Sequence, residues 1–258
     1  MANEISKTQI DRLGDRLRKG NITEADLRLL DEYRRSFSKA YEFVVGAIRN
    51  ELALEPTGRP AKSTTSISEK LLRESIRLTQ VQDIAGCRVV VAGIIEQNQV
   101  VDSLMQLFDN ASIIDRREHP SHGYRAVHVI VRRNDNLVEI QVRTSLQHVW
   151  AELSEKLSDT VDPAIKYGGG DESLLKILSS WSGVVAGEEA LEVSLDDTRR
   201  RVDRLLSQSS LAQDAQTELF DLQGEVAEAV KNQASRRAES FKSLRDAIDG
   251  LSNLNRSQ

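Results

Sequence analysis

The chain has 258 residues, of which 39% are hydrophobic, and can bury one substantial core with room for helical appendages. Its formal charge of −5 argues against a protein that binds nucleic acid over its whole surface, but is compatible with a local basic cleft. The lone Cys87 fits a reducing cytosol, and neither a signal peptide nor a run near the roughly 18 apolar residues of a membrane span is recognisable. We therefore expect a cytoplasmic protein with no membrane partner.

Helical periodicity dominates the first fifth of the chain. Apolar residues recur at helix spacing over 4–18 and 23–54, and Thr23 fits an N-cap with a capping-box acid three residues on. The Pro-Thr-Gly-Arg-Pro segment at 56–60 breaks the pattern. A further helix is predicted over 66–78, with an apolar stripe formed by Ile67, Leu71, Leu72, Ile76 and Leu78.

The middle of the chain alternates strand and helix patterns. We predict strand 83–92, helix 95–109, strands 111–116, 124–132 and 137–143, and helix 145–158. An Asn-Asp-Asn turn at 134–136 joins the last two strands as a hairpin. One crossover followed by a hairpin predicts an α+β fold with a mixed sheet, flanked by N- and C-terminal helices.

The last third of the chain is predicted to be helical. Residues 173–254 are rich in helix formers, and the glycine-rich segment 166–170 before them indicates a linker or lid. The apolar run Leu219, Leu222, Val226 and Val230 is either core or a packing face for another helix. We divide the chain into N-terminal helices (1–55), a central core (56–165) and a C-terminal helical region (166–258).

The most informative stretch is Val-Glu-Ile-Gln-Val-Arg-Thr at 138–144. Strict alternation places Glu139, Gln141 and Arg143 on one strand face and the apolar residues on the other. A carboxylate, an amide and a guanidinium in a row suit a metal ion and phosphates. An ordinary solvated strand face has the same pattern, so this stretch needs support from other motifs.

Two further motifs supply that support, Asp-Ile-Ala-Gly-Cys-Arg at 83–88 and Gly-Tyr-Arg-Ala-Val-His at 123–128. In this order and spacing, the three motifs resemble the synthetase domain of the RelA/SpoT family, and in particular the stand-alone small alarmone synthetases, over about residues 55–160. The resemblance implies a nucleotidyltransferase-like synthetase fold. It also implies a GTP pyrophosphokinase, which transfers the β,γ-pyrophosphate of ATP to the ribose 3′-hydroxyl of a guanine nucleotide.

Transfer of this kind needs charge neutralisation and alignment more than covalent chemistry. We expect Asp83 and Glu139, the two acids at the sheet edge, to hold Mg²⁺ and to be the catalytic residues. Glu139 is additionally expected to orient the attacking hydroxyl or accept its proton. The structural alternatives are a strand-end cap for Asp83 and a solvated charge for Glu139.

Cations for the ATP phosphates precede the first predicted strand of the core. Ser66, Lys70, Arg73 and Arg77 are spaced four, three and four and so share one helix face, which is either a binding stripe or a solvated face. By resemblance, the phosphate-holding residues are Lys62, Ser66, Lys70 and Arg73, and the adenine-packing residue is Arg88. Arg59 is the further candidate for adenine stacking, but two residues separate it from Lys62 where family members usually have one.

On the acceptor side, Tyr124 matches the family residue that stacks on guanine, and its place after a glycine favours an exposed position over a core one. Gln141 and His148 match other acceptor-side positions, while His128 is either acceptor-side or a structural histidine. The loop at 116–122 lacks the lysines that meet acceptor phosphates in family members that use GDP or GTP.

Three functions are compatible with these residues. The first is a Mg²⁺-dependent synthetase of (p)ppGpp-type alarmones, without the hydrolase region that other family members carry. The second keeps the chemistry but makes the protein a toxin that modifies the tRNA 3′-CCA end or makes adenosine alarmones. The third is a catalytically silent nucleotide-binding module. The helical regions offer a surface for a homo-oligomer or for an antitoxin partner.

Overall fold

The computed structural model describes residues 5–207 and 213–254. Its α-helices are α1 Lys7–Lys19, α2 Glu24–Ser36, α3 Ser38–Leu52, α4 Thr64–Glu74, α5 Ile94–Leu107, α6 Ser145–Thr160, α7 Glu172–Leu206 and α8 Gln213–Leu254. Short 3-10 helices lie at Leu78–Gln80 and Pro163–Tyr167. The strands are β1 Thr57–Arg59, β2 Ala85–Val91, β3 Ala111–Asp115, β4 Val127–Arg133 and β5 Asn136–Thr144. The predicted α+β fold with a mixed sheet and flanking helices is confirmed.

Contacts divide the chain into two compact units, each assembled from three segments. The first unit comprises Met1–Val89, Val100–Ile114 and Val127–Val142. The second comprises Val90–Gln99, Asp115–Ala126 and Arg143–Gln258.

The five strands form one sheet in the order β1-β2-β5-β4-β3, so β5 lies at its centre. β4 pairs antiparallel with β5 from Val127 opposite Val142 to Arg133 opposite Asn136, as the predicted hairpin requires. Asn134 and Asp135, which connect them, have φ angles of 48° and 64°. A two-residue hairpin turn favours this left-handed backbone, and Asn and Asp tolerate it better than other residues with a side chain.

The central strand β5 has the predicted alternation, but both of its faces are covered. Val138, Ile140 and Val142 are each 0% exposed. On the opposite face, Glu139 is 9% and Arg143 only 3% exposed, although a polar strand face is ordinarily solvated. Buried charges must be paired or bonded to be tolerated, so this face is a site of specific polar contacts.

The short strand β1 was not predicted. It pairs antiparallel with β2, with Gly58 opposite Cys87. A Cβ atom added at Gly58 would lie 2.4 Å from the carbonyl oxygen of Gly86, so only glycine fits this close approach. The proline-flanked segment is therefore an edge strand as well as a break between helices.

Two helix predictions need correction. The periodic segment 23–54 is two helices, α2 and α3, which meet at Phe37. The predicted helix 66–78 ends at Glu74, because Ser75 adopts the left-handed conformation with φ 50°. Leu72, assigned to the apolar stripe, is 58% exposed. Arg77 lies outside α4, with its Nε 3.9 Å from an Asp11 carboxylate oxygen. The predicted helix face of Ser66, Lys70, Arg73 and Arg77 is therefore wrong at its last member.

In the second unit, α6 packs with α7 and α8 around a buried cluster that includes Trp150, Leu178 and Leu244. The predicted C-terminal helical pattern is confirmed over α7 and α8, whereas residues 1–4, 208–212 and 255–258 of the predicted terminal regions lie outside the described residues. Of the predicted apolar run on α8, Val226 is buried but Leu222 and Val230 are exposed. No helix in the described parts of the chain is long and apolar enough to cross a membrane.

Candidate active site

In the first unit, Asp83 lies between two lysines at the entrance to β2. Lys62 Nζ is 2.5 Å from Asp83 Oδ2, and Lys70 Nζ is 2.9 Å from Asp83 Oδ1. The three side chains are only 17%, 18% and 18% exposed. The backbone N–H of Lys62 also donates to the carbonyl of Ile84 at 2.7 Å, which fixes the loop against the start of β2.

The two lysines control the ionisation of Asp83. Burial alone would raise the pKa of this carboxyl, but the charges and hydrogen bonds of Lys62 and Lys70 outweigh that effect. The pKa is lowered from 3.8 to about 2, so Asp83 is ionised at neutral pH. Lys70 Nζ also lies 3.9 Å from a carboxylate oxygen of Glu74, so the two ammonium groups face two carboxylates.

Helix α4 positions Lys70. Its N-cap is Ser63, whose hydroxyl accepts from the Ser66 N–H at 3.2 Å and donates to Ser66 Oγ at 2.8 Å. Ser66 therefore lies in the first turn, four residues before Lys70 on the same helix face. Arg73 Nη2 donates to the neighbouring Glu74 at 2.9 Å. Of the predicted phosphate ligands, Lys62 and Lys70 are brought together on Asp83, and Ser66 lies at the start of α4.

The second acid, Glu139, is held by two neighbours on the β4–β5 hairpin. His128 Nδ1 lies 2.8 Å from Glu139 Oε1, and Gln141 Nε2 donates to Oε2 at 2.8 Å. Burial would raise the pKa of Glu139, but the hydrogen bond and charge of His128 outweigh it, and the pKa lies below its ordinary value. The solvated-charge alternative is therefore wrong for Glu139.

The negative charge of Asp83 acts to raise the pKa of Glu139, so the two acids influence each other electrostatically. Gly86, in the Asp-Ile-Ala-Gly-Cys-Arg motif at 83–88, lies directly beside Glu139. A Cβ atom there would be 3.0 Å from the Glu139 carbonyl oxygen and 3.6 Å from its Cβ. Arg88, two residues further along β2, consequently lies on the same sheet face as Glu139. No role was predicted for Gly86, although its place inside the Asp-Ile-Ala-Gly-Cys-Arg motif was a signal.

The donor set of these acids fits Mg²⁺. Mg²⁺ usually takes one or two carboxylates and completes its shell with phosphate oxygens and water, and Asp83 and Glu139 are two ionised, mutually interacting carboxylates. Among the described residues there is no group of three or more His, Cys, Asp or Glu that could hold a metal ion.

Tyr124 belongs to the second unit and follows a tight turn. Its N–H donates to the Ser121 carbonyl at 2.9 Å, and the two residues between them, His122 and Gly123, have φ angles of 52° and 87°. The predicted strand begins only at Val127, so Tyr124 lies in the turn before it. The ring is half-buried and packs against the helical core cluster, so its predicted exposure is only partial.

Arg143, which received no predicted role beyond its strand face, is the partner of Tyr124. Its Nη2 donates to the Tyr124 hydroxyl at 2.9 Å, and its guanidinium carbon lies 5.0 Å from the ring centroid. This is within the range of a cation–π contact. The alternation of β5 was the signal that could have assigned it a site role.

The remaining predicted site residues are distributed over other elements. His148 lies on α6, where its Nε2 is 3.7 Å from Glu152. His128 and Gln141, predicted on the acceptor side, contact Glu139. Arg59 is the exposed last residue of β1.

The loop before the Tyr124 turn contains an arginine that is already neutralised. Arg117 donates to both carboxylate oxygens of Asp115, at 2.6 to 3.1 Å, and to the side chains of Gln97 and Asn98. Burial would raise the pKa of Asp115, but the bonds and charge of Arg117 outweigh it and hold the pKa below its ordinary value. The exposed charges in this loop are those of Arg116 and Glu118, which have opposite signs and cancel in the net charge.

Comparison with known proteins identifies a family and relatives for this chain. A family model described as a region found in RelA / SpoT proteins matches residues 58–158. GTP pyrophosphokinase YjbM of Bacillus subtilis is 30% identical over 166 residues, which cover 58% of this chain and 69% of that protein. An uncharacterized protein of Mycobacterium tuberculosis is 40% identical over 118 residues, covering 44% of this chain and 43% of that protein, so the match spans less than half of this relative.

Among solved structures, the small alarmone synthetase 1 from Bacillus subtilis, bound to its product pppGpp, is 24% identical. The alignment covers 70% of this chain and 100% of that chain, with a TM-score of 0.49.

Proposed function

Because the chain belongs to the RelA/SpoT family, we propose that it is an ATP:nucleotide 3′-pyrophosphotransferase that makes (p)ppGpp-type alarmones from ATP and GDP or GTP. The observation that carries this proposal is the group formed by Asp83, Lys62 and Lys70, which interacts electrostatically with Glu139. Two cations on one ionised carboxylate, beside a second carboxylate, form a suitable site for a triphosphate and its metal ion.

On the donor side, the ATP phosphates compete with Asp83 for the two ammonium groups. Lys62 and Lys70 then neutralise phosphate charge, and Ser66 adds a hydroxyl at the start of α4, where a helix favours anions. Asp83 and Glu139 would hold Mg²⁺, which supplies further charge neutralisation when bound. Arg73 and Arg88 are the remaining donor-side cations, Arg88 against the adenine and Arg73 toward the phosphates.

On the acceptor side, Tyr124 stacks on the guanine, with Arg143 holding its ring from the hydroxyl end. Glu139 orients the attacking ribose 3′-hydroxyl or accepts its proton, and His128 and Gln141 hold this carboxylate in place. His148 on α6 is a further acceptor-side residue.

The by-product of ATP tests the reaction class. Transfer of a pyrophosphoryl group leaves AMP, whereas an ordinary kinase leaves ADP. Purified protein incubated with ATP, Mg²⁺ and GDP should form AMP and a pyrophosphorylated guanine nucleotide in equal amounts, and AMP formation should depend on the acceptor. Formation of ADP would reject the proposal in favour of an ordinary kinase. Binding of ATP without turnover on any acceptor would reject it in favour of the silent nucleotide-binding module.

A second candidate changes the acceptor to the tRNA 3′-CCA end, and the neutralised Arg117 is the observation that favours it. A free guanine nucleotide brings a 5′-diphosphate or triphosphate, yet this loop offers little net positive charge. A tRNA acceptor would show steep salt dependence, because phosphate contacts release counterions, whereas a mononucleotide acceptor should respond weakly. Initial rates on each acceptor between low and moderate salt separate the two candidates, and adenine nucleotides as sole substrates test adenosine alarmones.

A further inference from the structure

The first third of helix α7 contacts the backbone that precedes Tyr124. Ser182 Oγ donates to the carbonyl of Gly123 at 2.7 Å. Gly123 has no room for a side chain, since a Cβ atom there would lie 2.9 Å from the Trp150 ring and 3.3 Å from Ser182 Cβ. The Trp150 ring is itself fixed, because its Nε1 donates to the Leu178 carbonyl on α7 at 2.9 Å. The residue before Tyr124 is therefore wedged between α6 and α7.

Two turns further along α7, Glu189 contacts the residue that follows Tyr124. Arg125 donates to Glu189 Oε2 from Nη2 at 2.6 Å and from Nε at 3.2 Å. The other carboxylate oxygen of Glu189 accepts from Gln147 Nε2 on α6 at 2.7 Å. Arg125 and Glu189 are only 13% and 8% exposed. Arg125 Nη1 also donates to the Arg117 carbonyl at 3.0 Å, so the ion pair holds both ends of the loop.

Ser182 and Glu189 are seven residues apart, which places them on the same face of α7. One contacts the residue before Tyr124 and the other the residue after it. We propose that α7 is the element that positions Tyr124, with Ser182 and Glu189 as positioning residues for the acceptor base. This inference rests on the proposed acceptor role of Tyr124, and it gives the start of the C-terminal helical region a task in catalysis.

The chemistry of these contacts supports positioning over general packing. Apolar contacts between α6 and α7 hold the helices together without fixing the rotation of a nearby turn. A buried ion pair contributes little net stability, whereas hydrogen bonds on both sides of one residue fix its direction. A ring displaced by about 1 Å can lose as much as a hundredfold in rate, so the orientation of this turn matters for an acceptor base.

The experiment uses four full-length variants in two matched pairs. Ser182→Ala removes the bond to Gly123, and its control is Ser180→Ala, because the Ser180 hydroxyl bonds only within α7, to the Lys176 carbonyl. Glu189→Gln removes the charge facing Arg125, and its control is Glu188→Gln, whose carboxylate accepts from Gln233 on α8. Two quantities are measured: KM for the acceptor and for ATP, and hydrogen exchange of peptides that cover the Tyr124 amide.

We expect Ser182→Ala and Glu189→Gln to raise KM for the acceptor by about fivefold to tenfold, less than loss of the ring itself, while KM for ATP stays unchanged. Exchange at the Tyr124 turn should become faster in both variants and stay at the wild-type rate in both controls. If Glu189→Gln fails to fold, Ser182→Ala still tests the proposal, because it removes only one hydroxyl group.

Exchange and kinetics distinguish the failure of this inference from failure of the proposed function. Unchanged exchange at the turn in Ser182→Ala and Glu189→Gln, or equal changes in KM for acceptor and ATP, would overturn the positioning role while leaving the reaction intact. If the wild-type protein transferred no pyrophosphate at all, the exchange measurement alone would still test whether α7 holds the turn.

Discussion

His128 and Glu139 contact each other diagonally across the β4–β5 hairpin. The register pairs His128 with Gln141 and Ile130 with Glu139, yet His128 Nδ1 lies 2.8 Å from Glu139 Oε1. Gln141, the register partner of His128, donates to the other carboxylate oxygen. Both oxygens of Glu139 are therefore held by side chains of the same hairpin, which aims the carboxylate before any substrate binds.

This diagonal pair predicts a kinetic effect for His128→Ala. We expect kcat to fall by about tenfold to a hundredfold, because partners that orient a metal ligand or catalytic carboxylate typically contribute that much. KM for the acceptor should change little, and His128→Gln should recover part of the rate. A raised acceptor KM with unchanged kcat would instead place His128 in direct contact with the acceptor.

The lysine pair predicts a loss that is specific to ATP. Lys62→Ala and Lys70→Ala each remove a charged contact worth about 1.5 to 3 kcal/mol in a partly desolvated site, so KM for ATP should rise at least tenfold. The exposed Lys39→Ala on α3 is the matched control and should leave KM for ATP unchanged. If both site variants showed the ATP dependence of the wild type, the assignment of these lysines to phosphates would be rejected.

Asp83 predicts a change in acid stability. Its pKa is lowered from 3.8 to about 2 in the folded protein, so the stability that it contributes is present above pH 4 and is lost as the pH falls toward 2. Asp83→Asn should lower the free energy of unfolding near neutral pH by about 2 kcal/mol and flatten the acid dependence between these limits. Urea unfolding at several pH values measures both, and a parallel acid dependence in the two proteins would contradict this ionisation of Asp83.

We expect different results when Tyr124 is replaced by alanine and when it is replaced by phenylalanine. Tyr124→Ala should cost roughly 1 to 3 kcal/mol of acceptor interaction, taking base–aromatic stacking as the guide, with little change in KM for ATP. Tyr124→Phe keeps the ring but removes the acceptor of the Arg143 bond, so it should lower stability by about 1 to 2 kcal/mol while largely retaining acceptor use. Acceptor use per folded molecule that survives in Tyr124→Ala would make the tyrosine a core residue only.

The parts of the fold that follow a strict local period could be predicted. The alternation of β5 assigned its apolar face correctly, because a strand repeats every two residues and a register error would bury the wrong set. The turn at Asn134 and Asp135 was also recognisable, because its residue types favour the left-handed backbone of a hairpin turn. The end of α4 was missed because apolar spacing continues to Leu78, while the left-handed Ser75 stops the helix four residues earlier.

The candidate site was only partly predictable. The motifs identified Asp83 and Glu139, but the convergence of Lys62 and Lys70 on one carboxylate depends on how α4 packs beside β2. The ion pair between Arg125 and a residue 64 positions later has no local signature. Contacts of this kind come from tertiary packing, which single-sequence patterns do not encode.

The central claim is most directly tested by the position of the label after incubation with γ-labelled ATP. Wild-type protein, Mg²⁺ and the label are combined with GDP, GTP, no added acceptor, or deacylated tRNA, and the products are separated. We expect the label in a guanine nucleotide that has gained two phosphates, released together with AMP, and no transfer by Asp83→Asn or Glu139→Gln. Label in inorganic phosphate only, in a nucleotide that has gained one phosphate, or transfer that persists in both variants would contradict a pyrophosphotransferase built on these two acids.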